Sequence, residues 1–484
     1  MIPLTAQDIA AATGGTIRPG TDRVEPFEAV FTDTRRPIQD AVFVALVGDR
    51  FDAHAFLDKA ISGGARCVVV NRSAEVTAES VVVIEVEDTG RALLDMGRAI
   101  RARHPGAFIA ITGSVGKTTV KDMTAAALAP FGKVGCTIGN YNNAIGVPLT
   151  LFALDGDEKF VVMELGMNAA GEIAELTQVV QPHVGAVTAA VAAHLEFFDS
   201  VDAIAEAKAE LYEALRAPAT AVANADDPRV VKRAVLKAPS TLLTYARHTS
   251  ADVTVKDVEQ TAAGLTYTLV LDAAAEPTEI SGLQLKGLGA HNAGNAAAAV
   301  TIVRALGMQQ QGDVPVEAVA AMAIGRGWTP GKHRLQPVQG ASGVVILDDC
   351  YNANPASTMA AIDALRAVAW DAPARCAVLG SMLELGPTAP QLHFEVGAYA
   401  VRQAGCMHVY TTGPYAEDLA RGAHEAGARK VIPVKDAMEL ADAVKAFAAP
   451  KRWILLKGSR GQRLERLLDV LGAGSNDTTG GAAA

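Results

Sequence analysis

Phe108-Ile109-Ala110-Ile111-Thr112 runs directly into Gly113-Ser114-Val115-Gly116-Lys117-Thr118-Thr119. An apolar strand, a glycine loop and the start of a helix in that order form a phosphate cradle. Glycines let backbone N–H groups approach phosphate oxygens, and the helix N-terminus adds a favourable dipole. In such a loop Lys117 reaches the β/γ-phosphates and the Thr118 hydroxyl reaches Mg²⁺. One position departs from the general pattern, with Ile111 standing where a glycine is usual.

Working outward, strands are expected at Phe160 to Glu164, Gly185 to Ala190 and Ala219 to Asn224, with helical pattern between them. That alternation predicts a doubly wound, largely parallel sheet. Thr241 to Ile280 alternates with period two and reads as antiparallel strands at the sheet edge. Upstream, Ala41 to Val47 and Cys67 to Val70 read as strands and Ala53 to Ser62 as a helix, giving a small α/β unit. An arginine-rich helix from Arg91 to Arg103 stops at His104-Pro105-Gly106. Downstream, the breaker-rich Gly325 to Gly331 reads as a linker. The pattern then restarts with strands near Gly343 to Asp348, Cys376 to Gly380, Met407 to Thr412, Lys430 to Pro433 and Trp453 to Leu456. The fold class is therefore α/β in three domains, at 1–85, 86–328 and 329–472. The tail, 473–484, is too poor in apolar residues to fold and is expected to be disordered.

Bulk composition agrees. A chain of 484 residues is too long for one ordinary domain. The net charge of −10, without a Lys/Arg run, argues against nucleic acid and anionic membrane as partners. Five scattered cysteines lack metal or redox spacing and read as reduced thiols of a cytoplasmic protein. The start lacks a basic segment followed by an apolar one, so no signal peptide is expected, and no apolar stretch reaches membrane-spanning length.

Other polar groups sit where parallel sheets bind ligands, at strand ends. Glu164 leaves a strand beside the glycine loop, a place for a Mg²⁺ carboxylate or a plain surface acid. Asn140, Asn142 and Asn143 crowd one loop, for which an asparagine-rich turn is the plainer reading. His194 reads more readily as a hydrogen-bonded core histidine, the more common case. Lys208 lies in a helix where most lysines are solvated, yet small residues flank it, and a buried lysine would react as a neutral amine. Asn292 and Asn295 share a helical face suited to a base edge, although capping alone would explain Asn292. Asp349, Tyr351, Asn352 and Asn354 follow one strand, and Lys457, Ser459 and Arg460 follow another. Cys350 has no activating neighbour and reads as packing.

From Phe31 to Arg460 these motifs, in this order, resemble the Mur ligase family, in its D-alanyl-D-alanine-adding (MurF-type) branch. The resemblance implies a first domain that holds a UDP-sugar, a central ATP-binding P-loop domain and a Rossmann-like third domain. It implies ATP phosphates on Thr112 to Thr119, with Lys117 catalytic. Magnesium, expected as two ions, would lie on Thr118, Glu164, His194 and a carbamylated Lys208. Adenine would meet Asn292 and Asn295, and ribose and phosphate would meet Asp349 and Arg334. The loop Asn140 to Pro148 looks like that branch's signature. Thr34 and Arg35 match the UDP-sugar segment, and Tyr351, Asn352, Asn354, Lys457, Ser459 and Arg460 are expected substrate contacts. The implied reaction joins D-alanyl-D-alanine to UDP-N-acetylmuramoyl-tripeptide in a cytoplasmic monomer. A MurE-type ligase and a P-loop NTPase switch are the alternatives. Ala53 and Ser381 depart from the family, which usually has Gly and Asp there.

Overall fold

A computed structural model describes residues 1–20, 25–48, 51–72, 74–76, 81–192, 195–238, 241–272, 277–308, 314–369 and 371–473. Within them lie three main β-sheets, of five, nine and six strands. Among the described residues no helix is long and apolar enough to cross a membrane. The tail expected to be disordered lies, beyond Ala473, outside the described residues.

The central sheet is built around Ala107–Thr112, flanked by Phe160–Glu164 on one side and Val184–Val187 on the other. Thr220–Asn224 and Thr241–Ala246 continue it in parallel. The three middle strands, Phe160–Glu164, Ala107–Thr112 and Val184–Val187, are buried nearly throughout and largely apolar, as a sheet covered by helices on both sides requires. The antiparallel expectation for Thr241 to Ile280 holds only from Val253–Thr261 onward. Thr241–Ala246 itself is parallel because it follows the helix Pro228–Lys237 as a β–α–β crossover.

The alanine-rich helix His291–Ala305 explains the chain's small-residue composition. It is buried along most of its length and packs beside the P-loop helix Lys117–Leu128. The expected linker at Gly325 starts too early, because the helix Val316–Gly327 runs through Gly325 and Gly327. Gly325 is there for packing: a Cβ would lie 2.6 Å from the Gln284 carbonyl oxygen.

The first sheet joins Val82–Val86, Ala65–Asn71, Ala41–Val44 and Val30–Phe31 in parallel, with Thr16–Ile17 antiparallel at the edge. Ala41–Val44 is shorter than expected, since Val47–Gly48 turns away to pair with Phe51–Asp52. The helix expected from Ala53 opens as a 3₁₀ turn, Ala53–Phe56, before Leu57–Ser62. The helix Thr89–Arg103, capped by Asp88, packs on both the first helix and the central domain's helices. One apolar cluster therefore runs from Leu4 and Ile84 through to Ile204 and Leu211.

The third sheet runs Gln336–Gln339, Val345–Asp349, Trp453–Lys457, Arg375–Gly380, His408–Thr412 and Lys430–Val434, parallel except for its first strand. Asn354 and Ser357 form a capping box on the helix Pro355–Val368. Ser381, where the family usually has Asp, is satisfied locally, donating to the Thr412 carbonyl and accepting from the Tyr415 N–H.

Candidate active site

Glycine geometry shapes the P-loop. Gly116 caps the helix at φ 85°, and a Cβ on Gly113 would lie 1.9 Å from Thr188 Oγ1. Neither position accepts a side chain, so the backbone stays open to an anion. Lys117 folds back, its Nζ donating to the Gly113 carbonyl at 2.6 Å. Ser114 exchanges hydrogen bonds with Val191 at 3.2 Å and is not spare.

A cleft of about 560 Å³ opens over this loop. It gathers Ser114 to Thr119, Asn140, Asn142, Glu164, Lys208, Asn292 and Asn295 from the central domain. Arg334, Asp349, Tyr351, Asn352, Asn354 and Lys457 enter from the third. Thr34, Arg35, Thr112, Gly113, Asn143, Ser459 and Arg460 do not line it. Arg35 is exposed and paired with Asp33 at 2.7 Å. Asn143 Oδ1 caps the next helix by accepting from the Gly146 N–H. Ser459 Oγ accepts from the Leu383 N–H, and Arg460 pairs with Glu465 at 3.4 Å. His194 lies outside the described residues.

The charges in the cleft are arranged for an anion and a cation together. Lys208 is 2% exposed, and burial, reinforced by the Lys117 charge, holds its amine well below the usual lysine range. Lys117 is lowered too, by burial first; Glu164 opposes the shift and Arg334 adds to it. Glu164 is 3% exposed; its Oε1 accepts from Asn142 Nδ2 at 2.8 Å, and its Oε2 is buried without a hydrogen-bond partner among the described residues. An unpartnered buried carboxylate oxygen and the Thr118 hydroxyl, both lining this cleft, are the kind of oxygen donors a hard divalent cation takes.

The third domain's side is held stiffly. Arg334 stacks on the Tyr351 ring at 4.1 Å and donates from Nη2 to Thr118 Oγ1 at 3.1 Å. Lys457 pairs with Asp349 at 2.8 Å and also donates to the Asn352 carbonyl. Asn292 does not cap its helix; its amide donates to the Leu288 carbonyl and its oxygen accepts from Asn295. Burial lowers the neighbouring His291 to about 4, against the Asp349 charge and helped by Arg247 and Lys457, so its imidazole is neutral at pH 7. Cys350 is buried, its thiol pushed up by burial, in keeping with a packing role.

Asn224, Asp226 and Arg247 also line the cleft, although the sequence reading passed over them. Asp226 accepts the main-chain N–H groups of Arg247, His248 and Thr249, shaping the turn beside Asn292. The signal was available: Asn224-Ala225-Asp226-Asp227 follows a strand end, the same cue that marked Asp349.

Fold and cleft define a three-domain α/β protein of the P-loop nucleotide-binding class. The chain belongs to the Mur ligase family: the models for the Mur ligase middle domain and the Mur ligase glutamate ligase domain match residues 111–303 and 333–460. It is 34% identical over 476 residues to the UDP-N-acetylmuramoyl-tripeptide–D-alanyl-D-alanine ligase of Escherichia coli K12, covering 97% of this chain and 99% of that protein. Crystal structure I of MurF from Acinetobacter baumannii superposes with a TM-score of 0.85 at 28% identity, covering 97% and 98% of the two chains. The MurF ligase of Thermotoga maritima in complex with ADP gives 0.78 at 26%, covering 94% and 98%.

Proposed function

We propose that this chain is an ATP-dependent ligase that joins D-alanyl-D-alanine to UDP-N-acetylmuramoyl-tripeptide, giving the pentapeptide, ADP and phosphate. The observation that carries the reading is the single cleft in which the P-loop, the unpartnered Glu164 oxygen and Lys208 face Arg334, Asp349 and Lys457. Near-full-length similarity to proteins named for this reaction supports it.

The terminal carboxylate of the tripeptide attacks the γ-phosphorus of ATP, the bond to ADP breaks, and an acyl phosphate forms. The dipeptide amine then attacks the activated carbonyl, phosphate leaves, and the amine's proton is lost. Both partners of the first step are anions, so cations must sit at close quarters. Lys117 holds the phosphates, and Arg334 reaches the same place from the third domain. Bound Mg²⁺ supplies Lewis-acid charge to the phosphoryl oxygens. In this reading Thr118, Glu164, His194 and a carbamylated Lys208 hold two such ions. Asn292 and Asn295 meet the adenine, and Asp349 the ribose.

The same reading assigns 1–85, with Thr34 and Arg35, to the UDP-sugar, 86–328 to ATP, and 329–472 to the dipeptide and nucleotide. The second-substrate contacts would come from Asn140, Tyr351, Asn352, Asn354 and Lys457. The protein acts as a cytoplasmic monomer.

The test is phosphate release from ATP with both substrates present and with each omitted. Release that requires both, with a product heavier by the dipeptide, is expected. Release indifferent to both would replace the ligase by a nucleotide-driven switch. A requirement for a free amino acid in place of the dipeptide would move the chain to the MurE type.

A further inference from the structure

The three asparagines of the loop after Thr137 have separate jobs. Asn143 caps a helix, Asn140 lines the cleft, and Asn142 turns inward to the Glu164 carboxylate. We propose that Asn142 is a positioning residue for the metal-binding carboxylate, rather than the substrate contact its sequence motif suggested. This rests on the metal assignment proposed above.

Three observations carry it. Asn142 Nδ2 donates to Glu164 Oε1 at 2.8 Å, while Oε2 is buried and has no hydrogen-bond partner among the described residues. The terminal torsion of a glutamate is broad, so one anchored oxygen fixes where the other points. The Asn142 backbone is itself fixed, since its main-chain carbonyl accepts the Gly166 N–H at 2.8 Å. Gly166 also leaves the space that the amide occupies: a Cβ there would lie 2.8 Å from Asn142 Oδ1. The Glu164 backbone is tied independently, its N–H donating to Thr137 Oγ1 at 2.8 Å while the Thr137 carbonyl accepts from Lys121 Nζ at 3.1 Å. The carboxylate therefore keeps its place without Asn142, and loses only its orientation.

Groups that orient a metal ligand typically matter by about 10–100-fold in metal affinity. The experiment is Mn²⁺ titration followed by electron paramagnetic resonance, with a non-hydrolysable ATP analogue bound. It compares wild type, Glu164→Gln, Asn142→Ala, Asn142→Asp and Gly166→Ala. Asn142→Asp keeps the shape but cannot donate, and Gly166→Ala displaces the amide while leaving Asn142 in the chain. All three loop variants are expected to weaken Mn²⁺ by about 10–100-fold, with the KM values of both peptide substrates within about twofold of wild type.

If wild type and Glu164→Gln bind Mn²⁺ alike, the metal assignment fails. If Glu164→Gln weakens binding but Asn142→Asp and Gly166→Ala do not, the metal site stands and this inference falls. A raised KM for either peptide substrate with unchanged Mn²⁺ affinity would return Asn142 to substrate contact.

Discussion

Burial sets Lys208 apart from an ordinary solvated lysine. At pH 7.5 a solvated lysine is neutral in about one molecule in a thousand, and only the neutral amine adds CO₂. Burial and the Lys117 charge lower the Lys208 amine well below that range, which raises the neutral fraction where it is needed. A carbamate would then turn that neutral amine near Lys117 into an anion able to share a metal with Glu164. With ¹³C-bicarbonate the wild-type protein should give a carbamate resonance that is missing from Lys208→Met. The sign with pH follows from the lowered pKa: the resonance and the activity should persist above the folded-state pKa and fade together as acid protonates the amine. Lys208→Met should lose at least about 100-fold in kcat/KM, the scale for removing one preorganised electrostatic group.

At the scale of single elements, stability depends on how strand and helix ends are tied. The helix Thr89–Arg103 ends at His104, whose Nδ1 accepts from the Gly106 N–H and whose Nε2 meets Glu158 Oε2 at 3.0 Å. Glu158 also accepts from the Asp155 and Gly156 N–H groups. Burial pushes its carboxyl up, but the Asp155, His104 and Gly156 hydrogen bonds outweigh that and hold it at about 2. Its stabilising contribution is thus complete above the ordinary value of 4.5 and is lost as pH falls toward 2. The most this can supply is about 3 kcal/mol. Glu158→Gln should cost about 1–3 kcal/mol at pH 7. Its urea midpoint should also change less than that of wild type between pH 4.5 and pH 2. Equal slopes for the two proteins would show that this staple does not bear on stability.

Across the whole molecule, the cleft is complete only because the third domain stands against the second. Gln260 of the central domain donates to the Ala364 carbonyl at 3.0 Å and accepts from the Gly289 N–H at 2.7 Å, tying the third domain to the turn that starts the alanine-rich helix. Arg334 to Thr118 and Glu196 to Glu384 are further contacts between the two. Arg334 sits between His333 and Leu335, both in left-handed backbone at φ 59° and 51°. The His333 imidazole to Asp348, at 2.7 Å, and the Leu335 N–H to Asp349 hold that conformation. Only the bond to Ala364 crosses between the domains, and one net hydrogen bond is worth roughly 1 kcal/mol. Gln260→Ala should therefore raise the KM for ATP by about fivefold and enlarge the radius of gyration seen by small-angle scattering without nucleotide. Saturating nucleotide should restore the wild-type value; a variant as compact as wild type from the start would remove Gln260 from domain closure.

Local chemistry is enough to make the P-loop legible from sequence: an apolar strand, glycines that must lack side chains, and a helix start are adjacent in the chain. The parallel sheet follows from strands and helices alternating, and the MurF-type resemblance from the order of short motifs. What the sequence left open was which polar groups share a space. The three neighbouring asparagines look alike in sequence, yet one caps a helix and two line the cleft, of which only Asn142 holds Glu164. Ser459 and Arg460 follow a strand end but turn to Leu383 and Glu465, whereas Asn224 and Asp226, passed over, line the cleft. Gly325, a helix breaker by propensity, lies inside a helix because the Gln284 carbonyl leaves no room for a Cβ. Burial, which sets the Lys208 amine and leaves Glu164 Oε2 unpartnered, comes from packing between segments far apart in the chain, and so only the tertiary structure could decide it.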